Sequence, residues 1–278
     1  MCGDPAHPSD IEELPMTPSD KILTSVDGAV ATLTFNNPER HNAMSFEMWH
    51  ATADALERLA ANPSVRVVVL TGAGGKAFVS GADISKFETE RASADAVAVY
   101  NAATDRVHTA LLNYEKPTIA LIRGFCLGGG VNIAVCCDLR VANEAARFAV
   151  PAAKLGLGYG YSAIRRLMDL IGPQFVQEIL FTARQFEAAD ALRIGLVNRV
   201  MPDAEITAHV TELANTIAAN APMTIRAVKR IVREALKDPR DRDLAACEAL
   251  VRQCFESADY QEGRRAFMEK RKPIFTGK

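Results

Sequence analysis

The sequence lacks several features that would have placed it at once. None of its six cysteines (Cys2, Cys126, Cys136, Cys137, Cys247 and Cys254) forms a Cys-x-x-Cys pair. That spacing argues against a zinc site or a disulfide framework. Cys136 and Cys137 are adjacent inside an apolar run and read as buried thiols of a reducing compartment. No apolar run reaches the ~20 residues that span a bilayer, so membrane insertion is not expected. No basic stretch followed by an apolar one opens the chain, so a cytoplasmic location is expected rather than a secretory one. An excess of one charge is also missing. The formal net charge is -2, which provides no strong basic face for nucleic acid. An anionic ligand would have to be met by local basic groups. No internal repeat or low-complexity tract is present.

What is present suits a soluble globular protein. The 278 residues are 49% hydrophobic and 24% charged, enough for a sizeable core in one large domain or one domain with a small appendage. Residues 1–20 carry Pro5, Pro8, Pro15 and Pro18 among acidic residues and are expected to form a loosely attached tail. Ile22–Val26 and Val30–Phe35 predict a strand pair turned at Asp27-Gly28. Ser45 predicts a helix N-cap, with Phe46, Trp49, Ala53, Leu56 and Ala60 on one face of a helix reaching about Ala61. Val65–Leu70 and Thr118–Ile122 are continuous apolar runs, the pattern of buried parallel strands. Residues 94–113 read as a helix, Val131–Cys137 as a buried helix and Leu139–Ala142 as a strand. From Pro173 onward the pattern is nearly all helical. Alternating strands and helices imply α/β architecture.

Two glycine-rich segments invite functional readings. Gly72-Ala-Gly-Gly-Lys76 follows a strand but has neither the P-loop spacing nor a Ser or Thr after the lysine. No helix opens directly from it, so a dinucleotide fingerprint fails as well. Gly128-Gly129-Gly130 lies between a strand and a helix. Glycines there let a ligand approach the backbone, and they leave unpaired N–H groups at a helix N-terminus. Such groups suit a developing oxyanion, while a plain packing turn would need the same residues.

Several separated segments then agree in order. Ala77-Phe-Val-Ser-Gly-Ala-Asp83, Lys116-Pro-Thr-Ile-Ala-Leu-Ile-Arg-Gly124, Leu127-Gly-Gly-Gly130, Cys137-Asp-Leu-Arg-Val-Ala142, Pro151-Ala-Ala-Lys-Leu-Gly156, Ala191-Leu-Arg-Ile-Gly-Leu-Val197 and Phe267-Met-Glu-Lys-Arg271 resemble the enoyl-CoA hydratase/isomerase (crotonase) family over roughly residues 22–275. The resemblance implies a spiral of ββα units over 21–200 and a helical oligomerisation region over 201–278, forming homotrimers or dimers of trimers. It also implies an acyl-CoA thioester as ligand and no prosthetic group or metal. The two oxyanion donors fall on the N–H groups of Ala82 and Gly129. The CoA contacts fall on Arg40–Ala43, on Lys76, Ala77 and Phe78, on Asp83 and Ile84 beside them, and on Lys270. Asp83 is expected to brace its loop. A further lysine position of the family is Ser85 here, with Lys86 displaced by one, so that phosphate contact is not expected.

The chemistry departs from the family pattern. Hydrating an enoyl thioester takes a base for the water and an acid for the α-carbon. The resemblance places two glutamates for this task at positions occupied here by Asn132 and Ala152. An amide orients water without appreciable basicity, and an alanine does neither. Related isomerases carry a later carboxylate, whose nearest match is Gly160. Tyr159 and Tyr161 flank it and are candidate proton donors, with packing as their plainer role. His41, His50 and His108 are candidate bases only if folding brings them to the site. The expected activity is enolate stabilisation on an acyl-CoA, as in decarboxylation or double-bond migration, rather than two-glutamate hydration. The alternative is a protein that binds acyl-CoA without turnover.

Overall fold

The fold was analysed in a computed structural model, which describes residues 20–83 and 93–278. Nearly all of the expected tail, and Ile84, Ser85 and Lys86, lie outside the described residues.

The chain opens with an antiparallel hairpin, β1 (Ile22–Asp27) and β2 (Val30–Phe35), in which Asp27 pairs with Val30. Helix α1 (Phe46–Ala61) starts where expected, and the Ser45 side chain accepts the Met48 N–H at 3.3 Å. Three ββα units follow. The first is β3 (Val67–Gly72), β4 (Ala77–Val79) and α2 (Ala94–Asn113). The second is β5 (Thr118–Ile122), β6 (Phe125–Leu127) and α3 (Gly129–Cys136). The third is β7 (Leu139–Asn143), β8 (Arg147–Ala149) and α4 (Tyr161–Thr182), with a short 3-10 turn at Pro151–Leu155 before the helix.

The two strands of each unit go to different sheets. One sheet runs β1-β2-β3-β5-β7 and ends on β10 (Arg199–Met201). The other runs β4-β6-β8 and ends on β9 (Phe186–Glu187). Pairing is parallel from β2 to β10 and from β4 to β8. Both faces of the larger sheet are covered, which is why its strands read as continuous apolar runs. Leu33, Leu70 and Ala120 occupy one row and belong to the main core with Trp49, Leu56 and Phe148. Val67, Val69, Ile119 and Val141 face the other way, onto Ile206, Val210 and Ala214 of α6 (Ile206–Ala219).

The later chain corrects the nearly all-helical expectation. α5 (Ala188–Arg193), α6, α7 (Pro222–Ala235), α8 (Leu244–Glu256) and α9 (Ala258–Met268) are helices, but β9 and β10 complete the two sheets. Gly172, at φ 74° and ψ 166°, breaks α4 just before Pro173. Among the described residues no helix is long and apolar enough to cross a membrane. Cys126, Cys136 and Cys137 are free buried thiols, and burial raises the pKa of each, that of Cys136 to about 11.

Candidate active site

Strands β4, β6 and β8 are parallel neighbours, so the loops at their C-terminal ends lie side by side. Those loops are Ser80–Asp83, Gly128–Gly129 and Val150–Ala152. They form one wall of a cavity of about 730 Å³. Ligand sites at the carboxyl ends of parallel strands follow from this arrangement in many α/β proteins.

Backbone geometry explains the glycines. Gly128 has φ 50° and ψ -110°, a conformation that costs a side chain dearly. A Cβ on Gly130 would sit 2.1 Å from the Val79 carbonyl oxygen, so only glycine lets α3 approach β4. As a result α3 starts at Gly129, two residues before the expected Val131. The Gly81 backbone lies 3.9 Å from the position a Cβ on Gly128 or Gly129 would take.

Ala82 forms an isolated parallel bridge with Met44. The Met44 N–H donates to Gly81 O at 2.8 Å, and the Asp83 N–H donates to Met44 O at 2.9 Å. This pairing uses the carbonyl before Ala82 and the N–H after it, and leaves the Ala82 N–H out. Neither the Ala82 nor the Gly129 N–H has a backbone acceptor among the described residues.

Side chains line the rest of the cavity. Asn132 on α3, Ala152, Tyr159 and Tyr161 all line the cavity. The Tyr159 hydroxyl donates to Asn132 Oδ1 in a short hydrogen bond. Burial raises the Tyr159 pKa, so the hydroxyl keeps its proton. Tyr161 is 77% exposed at the start of α4. Among the three histidines considered, only His108 reaches the cavity. His41 packs its ring edge-on against Phe125, and His50 against Phe46. His108 is buried beside Trp49. Burial first, and the nearby Arg166 charge second, lower its pKa to about 3. It is therefore neutral at ordinary pH.

The expected CoA-contact residues divide into two groups. Lys76 and Lys270 are exposed, and neither lines the cavity. The side chains of Ala77 and Phe78 are in the core, so only their backbone could meet a ligand. Ala43 is buried as well, its carbonyl accepting from Asn37 Nδ2 at 3.0 Å. Arg40 is not a free cation. Its Nη1 donates to both carboxylate oxygens of Asp83, at 3.1 and 3.0 Å, and this pair braces the loop that carries Ala82. Buried Asn42 supports the same corner by donating to Ala73 O and Ala77 O at 3.0 and 2.7 Å.

Sequence reasoning missed several cavity residues. Trp49 donates from Nε1 to the Tyr100 hydroxyl at 2.8 Å, and both line the cavity. Tyr100, Thr104 and His108 recur every four residues on α2, with Asp105 beside them and Arg166 reaching in from α4. That helical spacing of polar residues was the readable signal.

A family model described as enoyl-CoA hydratase/isomerase matches residues 25–278. The chain belongs to this family. A short-chain-enoyl-CoA hydratase of Clostridium acetobutylicum is 35% identical over 91% of this chain and 96% of its own length. A carnitinyl-CoA dehydratase of Salmonella enteritidis is 32% identical over 94% and 100%. A crystal structure of an enoyl-CoA hydratase/carnithine racemase from Magnetospirillum magneticum aligns with TM-score 0.88 and 38% identity, covering 94% of this chain and 97% of that one. The crotonase-like spiral is therefore the fold of this member, as the two-sheet arrangement of its ββα units indicates.

Proposed function

We propose that this family member binds an acyl-CoA thioester with the carbonyl oxygen between the N–H groups of Ala82 and Gly129, and stabilises the thioester enolate there. The observation that carries the reading is two N–H groups without backbone acceptors, on adjacent loops lining one cavity. Gly129 is the first residue of α3, where the helix dipole adds to the attraction for an oxyanion. Trp49 and the apolar walls would strengthen that attraction by excluding water.

The reaction is one that needs an enolate and a proton donor, such as decarboxylation or double-bond migration. Tyr159 is the proposed donor, with Asn132 orienting its hydroxyl, and Tyr161 stands at the rim. Lys76 meets CoA phosphate, with Arg40, Ala43, Ala77, Phe78, Asp83, Ile84 and Lys270 around the rest of the cofactor moiety. Hydration by two carboxylates is not part of the proposal. Among the described residues no glutamate lines the cavity, and Asn132 and Ala152 line it at the positions where the resemblance implies glutamates. Purified protein should turn over crotonyl-CoA very slowly. Rapid hydration abolished by Asn132→Ala would defeat this reading.

The same missing carboxylates favour a second reading, an acyl-CoA-binding protein without turnover. Any product from a panel of enoyl, malonyl and dienoyl thioesters removes it. Self-association is proposed as well, supported by exposed Phe255, Phe267, Met268 and Ile274 in the C-terminal region.

A further inference from the structure

The cavity holds two polar groups that enolate stabilisation does not use. Arg166 lines it from α4, and its Nε is buried with no hydrogen-bond partner. No carboxylate among the described residues lies within ion-pair distance of its guanidinium. His108 lines the same cavity from α2. It is 7% exposed, and its Nε2 is also without a partner. Buried polar atoms are satisfied in the great majority of cases, so two orphans lining one cavity point to a missing partner, and the Arg166 Nε–H requires that partner to be an acceptor.

The sign of that acceptor follows from the charges. Because His108 is neutral, Arg166 is the cation lining the cavity among the described residues. Asp105 is the one carboxylate lining it among the described residues, and it is exposed and unpaired with Arg166. Leu155, Leu157 and Val97 make much of the remaining wall apolar. A guanidinium in such surroundings recognises a planar carboxylate through its paired donors, and a neutral imidazole adds one more N–H.

We propose that Arg166 and His108 form a subsite for a carboxylate carried on the acyl chain, so that the preferred ligands are CoA monothioesters of dicarboxylic acids. The proposal rests on the acyl-CoA reading above and adds the chemistry of the acyl group to it.

Calorimetry on the full chain tests it with succinyl-CoA against butyryl-CoA and glutaryl-CoA against valeryl-CoA, pairs matched in carbon number. At least one dicarboxylic probe should bind about tenfold tighter than its neutral partner. Arg166→Met should bring that ratio close to one. Arg166→Lys should retain part of it, since lysine keeps the charge and loses the fork. The proposal is overturned if the neutral thioesters bind and neither dicarboxylic probe binds more tightly, the result expected if Asp105 is the partner of Arg166 in solution. A preference that survives in Arg166→Met overturns it as well. The wild-type ratios decide the matter even if the variants fold poorly. Failure of all four thioesters to bind is a separate result, which removes the acyl-CoA reading along with the subsite.

Discussion

The cavity has two walls made in different ways. The strand-end wall, Ser80–Ala82 with Gly128–Gly129 and Val150–Ala152, carries the backbone N–H groups of Ala82 and Gly129 that have no backbone acceptor among the described residues. The helix wall, with Asn132, Tyr159, His108 and Arg166, presents side chains. Side-chain substitution seldom removes a backbone donor, whereas it exchanges a carboxylate for an amide in one step. On the proposed reading, the fold keeps its device for holding a thioester while the chemistry performed on it changes. The strand-end wall is fixed by close packing, as at Gly130 against Val79.

The largest expected effect comes from placing carboxylates in the cavity, one on the helix wall and one on the strand-end wall. Asn132→Glu combined with Ala152→Glu should raise the kcat for crotonyl-CoA hydration by about 10²–10⁴, the usual worth of a placed acid or base. Absorbance of the enoyl thioester follows the reaction. No gain in a folded double variant would mean that the strand-end wall does not place the thioester as proposed.

Damage to the strand-end wall comes next. Gly129 is the first residue of α3, a position that accepts proline. Gly129→Pro removes one N–H and should lower enolate stabilisation about 10²–10³-fold. Urea unfolding separates this loss from a fold defect.

How much of this was legible in sequence depends on element length. Long apolar runs such as Val67–Leu70 showed their strands, and Ser45 showed the start of α1. The three-residue strands β4, β6 and β8 are too short to display a period, yet they position every loop of the strand-end wall. Ala82 and Gly129 were reached through motif resemblance, and no periodicity could have placed them together. Arg166 and Tyr100 were missed because each sits on a helix whose partner elements are distant in sequence. Arg40 was expected to contact CoA, and its pairing with Asp83, which spans 43 residues, could not be read from the sequence.

Smaller effects concern how the helix wall is supported. Tyr100→Phe should cost about 1–3 kcal/mol in urea unfolding, because the Trp49 N–H loses a buried acceptor. His108 gives a pH signature. Its pKa is about 3 in the folded protein against an ordinary 6.5. The unfolded chain therefore binds the proton more readily between these values, and stability is full above about pH 6.5 and falls as pH drops toward 3. His108→Gln should flatten that part of the stability profile. Arg166, whose charge adds to the effect of burial, should steepen it when present.

The central claim is that two backbone N–H groups hold a thioester oxyanion. Acetoacetyl-CoA tests it most directly, because its enolate has an absorbance band of its own. Titrating the protein at fixed pH should increase the enolate band on binding, and Gly129→Pro should abolish that increase while the variant remains folded. Binding without any enolate increase, or an increase unchanged by Gly129→Pro, would contradict the account.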